Sequence, residues 1–376
     1  MDVRLNDTTD EYHDKKRYYW LLSLLWPTVP LFGICLASLT DWSIFYWLLP
    51  VEFYLLIPWL DEWLGDDTNN PPESAVPGLE ADRYYRFLTW LTVPLHYLTM
   101  TVVCWVIVKW SLSIIDIIGL TLSLGLINSV AINTAHELGH KHTRFEQWLA
   151  KIALAVVAYG HFTIEHNRGH HADVATPEDS ASARMGESIY AFSLREIPGG
   201  IKRSWALESA RLQRQGIPRW GRHNELLQTW LMTLIYYAVL IVWLGMMLLP
   251  VLLVQAIIAW FQLTTANYVE HYGLLRQKDE RGNYQPCKPE HSWNSNRSLS
   301  NLIFYNLQRH SDHHANAGRR YQALRSFSGV PELPGGYPKM FLVALFPGWW
   351  RRMMDPILLK HYQGNTGRIN SLTQGG

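Results

Sequence analysis

The 376-residue chain has little that would staple or charge it. Its three cysteines, Cys35, Cys104 and Cys287, lie far apart in no disulfide or metal spacing and read as isolated free thiols. With 33 basic against 32 acidic residues, the net charge of +1 gives no electrostatic footprint for nucleic acid. The stretch 18–40 holds no charged residue and no small-residue cleavage site. Another long apolar run follows at once, so it reads as an uncleaved anchor. Mean hydropathy is near zero, but that average conceals blocks.

Tryptophan and tyrosine are abundant, at 18 and 19 residues. Such rings gather where a membrane meets water. Apolar runs cover 18–40, 42–60, 87–108, 112–135, 226–249 and 251–268, each near the ~20 residues that cross a bilayer as a helix. The expected fold is an all-α integral membrane protein with six transmembrane helices in three hairpins, turning at Thr40–Asp41, near 109–111 and at Pro250. The remaining linkers are long and polar and share the opposite side with both termini. Lys15, Lys16 and Arg17 precede the first run, whereas the short turns carry one basic residue, Lys109. Positive residues stay inside, so the tail and the long loops are expected in the cytoplasm. The layout is then a cytoplasmic tail (1–17), spans one to four (18–135), a cytoplasmic region (136–225), spans five and six (226–268) and a cytoplasmic C-terminal region (269–376), whose last residues, 364–376, read as a polar, mobile tail. A seventh apolar run, 148–164, is short and carries Lys151. It is expected to be interfacial or re-entrant rather than spanning.

The 16 histidines are not scattered. HELGH contains His136 and His140, EHNRGHH contains His166, His170 and His171, NYVEHYG contains His271, and LQRHSDHHA contains His310, His313 and His314. All nine fall on the long-linker side, beside the membrane. HExxH on a helix is the zinc-protease signature, with the glutamate as general base. Yet residues three or four apart on a helix are neighbours, and LQRHSDHHA offers three imidazoles to one side, with EHNRGHH doing nearly the same one residue looser. Nine is too many for one metal, since a catalytic zinc keeps three protein ligands. Two ions with four or five ligands each use the set up. Imidazole suits iron, copper, zinc or nickel, so ligand type alone does not choose. HELGH therefore reads as one arm of a dinuclear cage, which leaves Glu137 without the role of a protease base. Glu137, Glu165, Glu270 and Asp312 sit directly beside ligand histidines and are expected to hold their far ring N–H groups, with a metal-bridging carboxylate as the alternative. His142 points away, His161 is a candidate outer partner, and His13, His223, His291 and His361 read as solvated or structural. Glu52 and His96 lie inside spans, where ionisable groups face the bundle interior. Asp116 stands near the water interface.

With these four signatures, and with NNPPE at 69–73 and HSWNSN at 291–296, the sequence resembles the membrane di-iron oxygenases and desaturases. Within that group it is similar to the alkane 1-monooxygenase family over nearly the whole chain, NYVEHYG being the most discriminating motif. The resemblance implies two non-haem iron ions, terminal hydroxylation of medium-chain n-alkanes with O2, and electrons from rubredoxin, itself reduced by a reductase upstream. An apolar bundle opening onto a metal site suits such a lipid-dissolved substrate. A channel between helices would admit the chain end-on, with Glu52 and Phe53 of the second span as candidate channel residues. The segment 195–222 carries Arg195, Lys202, Arg203, Arg211, Arg214, Arg219 and Arg222 against Glu196 and Glu208. It is a candidate docking face for an acidic rubredoxin, the alternative being a surface that contacts phospholipid. The rivals are a fatty-acyl desaturase, which would return an alkene, or an aromatic-methyl hydroxylase of the same class. An intramembrane zinc protease would hold one zinc and tolerate change at His310, His313 and His314. A metal transporter would bury its ligands at mid-bilayer.

Overall fold

A computed structural model describes residues 12–372. Among them, six helices are long and apolar enough to cross a membrane: Leu21–Thr40, Ser43–Leu64, Arg83–Lys109, Ile114–Gly139, Glu225–Leu244 and Met246–His271. They fall on the six apolar runs and pair through short connections at 41–42, 110–113 and Gly245; the last turn comes before Pro250, the expected place, because Pro250 is accommodated in the first turn of the sixth helix, where it needs no N–H partner. Three of these starts have a side-chain cap. Asp82 accepts from the Tyr84 N–H and Asn224 from those of Leu226 and Leu227. Ser113 and Asp116 form a reciprocal capping box, so the acid near the fourth span's start is a helix cap.

The fourth and sixth spans form the spine and pack along each other. Gly125 permits this closeness: a Cβ there would come within 2.5 Å of the Ile258 side chain. His136 lies in the last turn of the fourth span and His271 ends the sixth, so the spine delivers one ligand candidate from each helix to the same end of the bundle.

The run 148–164 does not span. A helix over Arg144–Ala155 breaks at 156–160, where Ala158 takes a positive φ of 55°, and a second helical segment over 162–173 leads back. The freed carbonyls are met by side chains of the neighbouring spans. Thr233 donates to Ala155, Tyr237 and Gln255 to Val156, and Trp260 to Val157. Irregular backbone within a helical bundle persists where protein groups satisfy it, so the segment can turn back on itself here. It returns close to its start: the His140 and His166 rings are 5.1 Å apart.

The C-terminal region caps the bundle with short helices, of which Tyr337–Ala344 packs on the second and sixth spans. The stretch after 364 is not free where it is described. Ile369 is fully buried, Met185 N–H donates to the Asn370 carbonyl, and Asn370 N–H donates to that of Gly273. Residues 373–376 and the start of the tail, 1–11, lie outside the described residues.

Candidate metal centre

Nine imidazoles converge at the ends of the fourth and sixth spans. His136, His140, His166 and His313 bring one nitrogen each within 4.8 Å of one another, and His170, His271, His310 and His314 do the same. The ninth, His171, joins the first group: its Nε2 is 3.1 Å from the Nε2 of both His166 and His313. The division is five and four. It cuts across the two three-histidine clusters of the sequence: His170 parts from His166 and His171, and His313 from His310 and His314.

The reason is helical geometry. His166–His170 is a π-helical turn, wider than an α-turn, so His166 and His171 fall side by side at a separation of five while His170 turns to the other group. On the helix His310–Ala315, His310 and His314 stack one turn apart, with Nε2 atoms 2.9 Å apart. His313 stands on the adjacent stripe, its Nε2 2.9 Å from that of His136.

Backbone anchors hold this last helix in place. Tyr305 and Asn306 turn through positive φ, and Asn133 of the fourth span donates to the Phe304 carbonyl at 2.9 Å. The buried Arg309 guanidinium donates to the carbonyls of Leu324 and Asp67. Asn294, from the HSWNSN segment, accepts the Ser311 N–H at 2.9 Å. In the second cluster, Arg276 donates to the Ala172 and Val174 carbonyls.

The residues fit cations. Seven Nε2 atoms face one another at 2.9–3.2 Å, and those of His140 and His170 are buried with no hydrogen-bond partner. Burial, then the neighbouring imidazoles, holds His140, His166, His310, His313 and His314 well below the usual histidine range, and His171 falls to about 3. Neutral rings with inward lone pairs are metal-ligand chemistry.

The carboxylates beside these histidines do not hold their far ring nitrogens. Glu137 pairs with Lys141 at 3.0 Å and accepts the Tyr321 N–H. Asp312 binds Asn316, Arg319 and the Arg325 N–H. Glu165 has a buried oxygen without a hydrogen-bond partner, 3.9 Å from Arg203. Adjacent helical residues point about 100° apart, which takes a neighbour's carboxylate away from the ligand ring. Glu270 lies instead on the ligand side, its Oε2 3.4 Å from His310 Nε2 and its other oxygen accepting from Tyr337 Oη at 2.8 Å. The acid that does hold a far nitrogen is Asp179, 2.9 Å from His170 Nδ1. His271 Nδ1 meets the His291 carbonyl. His161 is buried against the Tyr159 ring, and His142 is exposed.

A small apolar cavity lies near the histidines, none of which is among its walls. Phe53, Asn133, Gln262, Phe304, Tyr337 and Phe341 are among its walls. Asn133 is one turn from His136, and Tyr337 is the partner of Glu270. Phe53 belongs to a π-helical turn of the second span. Glu52, its neighbour, is half-buried and not among the lining residues. The basic candidates divide. Arg195 is tied to Glu187, Arg203 to Asp173 and Arg211 to Glu208, while Lys202, Arg214, Arg219 and Arg222 stay exposed.

The sequence profile of the fatty acid desaturase family matches residues 115–364. The alkane 1-monooxygenase of Ectopseudomonas oleovorans is 54% identical over 97% of this chain and 91% of its own length. Alkane 1-monooxygenase 1 of Alcanivorax borkumensis is 52% identical over the same shares. The hydroxylase component of a xylene/toluene monooxygenase from Pseudomonas putida is 27% identical over 63% of each chain.

Proposed function

Because this chain belongs to the alkane 1-monooxygenases of the fatty acid desaturase family, we propose that it hydroxylates the terminal carbon of medium-chain n-alkanes at a pair of iron ions, using electrons from rubredoxin. It is an integral membrane oxidoreductase, an alkane hydroxylase that uses O2. In the proposed reaction, alkane, O2, two electrons and two protons give a 1-alkanol and water.

His136, His140, His166, His171 and His313 would hold one ion, and His170, His271, His310 and His314 the other. Two ferrous ions there would supply activation of O2 and the power to take hydrogen from an unactivated carbon. The chain's own part is binding, orientation and exclusion of water. The apolar wall of Phe53, Phe304 and Phe341 accepts hydrocarbon and repels water. Its meeting with the histidines at Asn133 and Tyr337 presents the chain end-on, so the terminal carbon reaches the ligands first. Asn133 and Tyr337 are engaged with Phe304 and Glu270, which keeps polar groups near the reacting carbon occupied. The long-linker side, with the histidines, faces the cytoplasm in this reading. In support, Lys16 and Arg17 pair there with Asp67 and Asp82 of the linker after the second span.

The observation that carries the reading is the five-and-four division of buried imidazoles beside an apolar cavity. Metal analysis of the purified chain, together with product analysis from octane and a rubredoxin reducing system, tests it. Two irons per chain and 1-octanol are expected. A lone zinc, or an alkene product, would overturn it.

A further inference from the structure

Among the described residues, His170 is the one histidine of the nine whose far nitrogen meets a carboxylate. The contact is built. Asp179 is fully buried, its Oδ2 also accepts from Ser182 Oγ at 2.7 Å, and its Oδ1 accepts the Ala181 N–H at 3.1 Å. Behind it, Arg203 Nη1 stands 3.6 Å from Oδ1. The guanidinium reaches this place over Gly169, where a Cβ would come within 2.8 Å of Arg203 Nε. On the same four-histidine side, Glu270 Oε2 lies 3.4 Å from His310 Nε2. The five-histidine side has no equivalent among the described residues, since Glu137 is spent on Lys141.

We propose that Asp179 is a positioning residue that makes the two metal sites unequal. It fixes the Nδ1–H form of His170, so that Nε2 faces the ion, and it makes His170 a stronger donor. With Glu270 it sets carboxylate charge against one site alone. Negative charge nearby stabilises the more oxidised ion, so the ion at the four-histidine site is the harder of the two to reduce and the five-histidine site accepts its electron first. Arg203 orients Asp179 from behind and links it to the helix Ile189–Arg214. This inference rests on the di-iron reading above.

The test is a stepwise reductive titration of the purified full chain, loaded with iron-57 and followed by Mössbauer spectroscopy. Two ferric signals converting one after the other are expected. In Asp179→Asn, one signal changes, the two conversions draw together, and iron affinity at one site falls about 10–100-fold. Asp179→Glu should restore part of the separation. Ser182→Ala, a milder change, should move the same signal in the same direction if the Asn variant does not fold. Signals that change together, or do not change in either variant, would overturn the inference while leaving the di-iron reading intact. A wild-type chain without two irons would sink that reading itself.

Discussion

The Nε2 atoms of His136 and His313, 177 residues apart in the chain, lie 2.9 Å from each other. Two neutral rings this close either share one ring proton or turn their lone pairs on a common cation, and the crowding of five imidazoles here favours the cation. His313→Ala is expected to remove iron from the five-histidine site and to cut octane hydroxylation by more than about 100-fold, beyond the loss typical of an outer partner. Glu137→Gln should leave the iron content unchanged, because that carboxylate serves Lys141 and the Tyr321 backbone. Metal analysis of both variants checks the contrast.

Gln255 ties the break after Ala155 to three helices. Its Nε2 donates to Tyr237 Oη and the Val156 carbonyl, and its Oε1 accepts from Asn128. Gln255→Leu strands these buried groups and should lower stability by about 1–3 kcal/mol. Thermal unfolding in detergent would show it as a reduced midpoint.

Phe53 stands on the cavity wall, its ring centroid 5.9 Å from Phe304 and 6.3 Å from Phe341. Phe53→Leu should let longer chains seat with their terminal carbon at the histidines. Competition between octane and dodecane should shift several-fold towards 1-dodecanol, read by gas chromatography. An unchanged ratio would remove Phe53 from the set of length-limiting groups.

The division of the basic segment predicts two phenotypes. Reversing Lys202, Arg214, Arg219 and Arg222 to glutamate should slow turnover driven by rubredoxin in a salt-dependent way, as rim charges affect encounter, with little change under a small chemical reductant. Changing Arg211 should cost stability instead, because it leaves the buried Glu208 without its 2.6 Å partner.

Burial pushes the Glu196 carboxyl up to about 7 from its ordinary 4.5, against hydrogen bonds from Thr264 and Asn267 that pull it down. A carboxyl raised in this way binds its proton more tightly folded than unfolded. Its contribution to stability is whole below 4.5 and is lost as pH rises through about 7. Glu196→Gln should flatten stability across that window, as followed by unfolding midpoints at successive pH values.

The sequence displays what is local. Six apolar runs and nine clustered histidines announce the bundle and the imidazoles that converge at its end, and Phe53, a bulky ring in the second span, is visible as such and lines a cavity. Asp179 is not legible: it follows His170 by nine residues, in a stretch without a metal signature, and only the turn through 173–182 returns it to the ring. The sorting of five histidines from four depends on a π-turn and on four segments crossing, neither of which periodicity reveals. Arg203 and Lys202 are neighbours in the chain and alike in charge. Their tertiary surroundings alone make one a half-buried partner of Asp173 and the other an exposed cation. Residues 364–372 look like a loose end because their anchors, Met185 and Gly273, are distant in sequence.

The break after Ala155 also has a bearing on biogenesis. Its carbonyl partners, Thr233, Tyr237, Gln255 and Trp260, leave the ribosome about 80–100 residues later, roughly 5–20 s at ordinary synthesis rates. Until then the half-made loop has nothing in the lipid to bond to and must wait at the water boundary. Each histidine group also takes a member from His271 or from 310–314, so a metal centre built on them would be completed late in the life of the nascent chain.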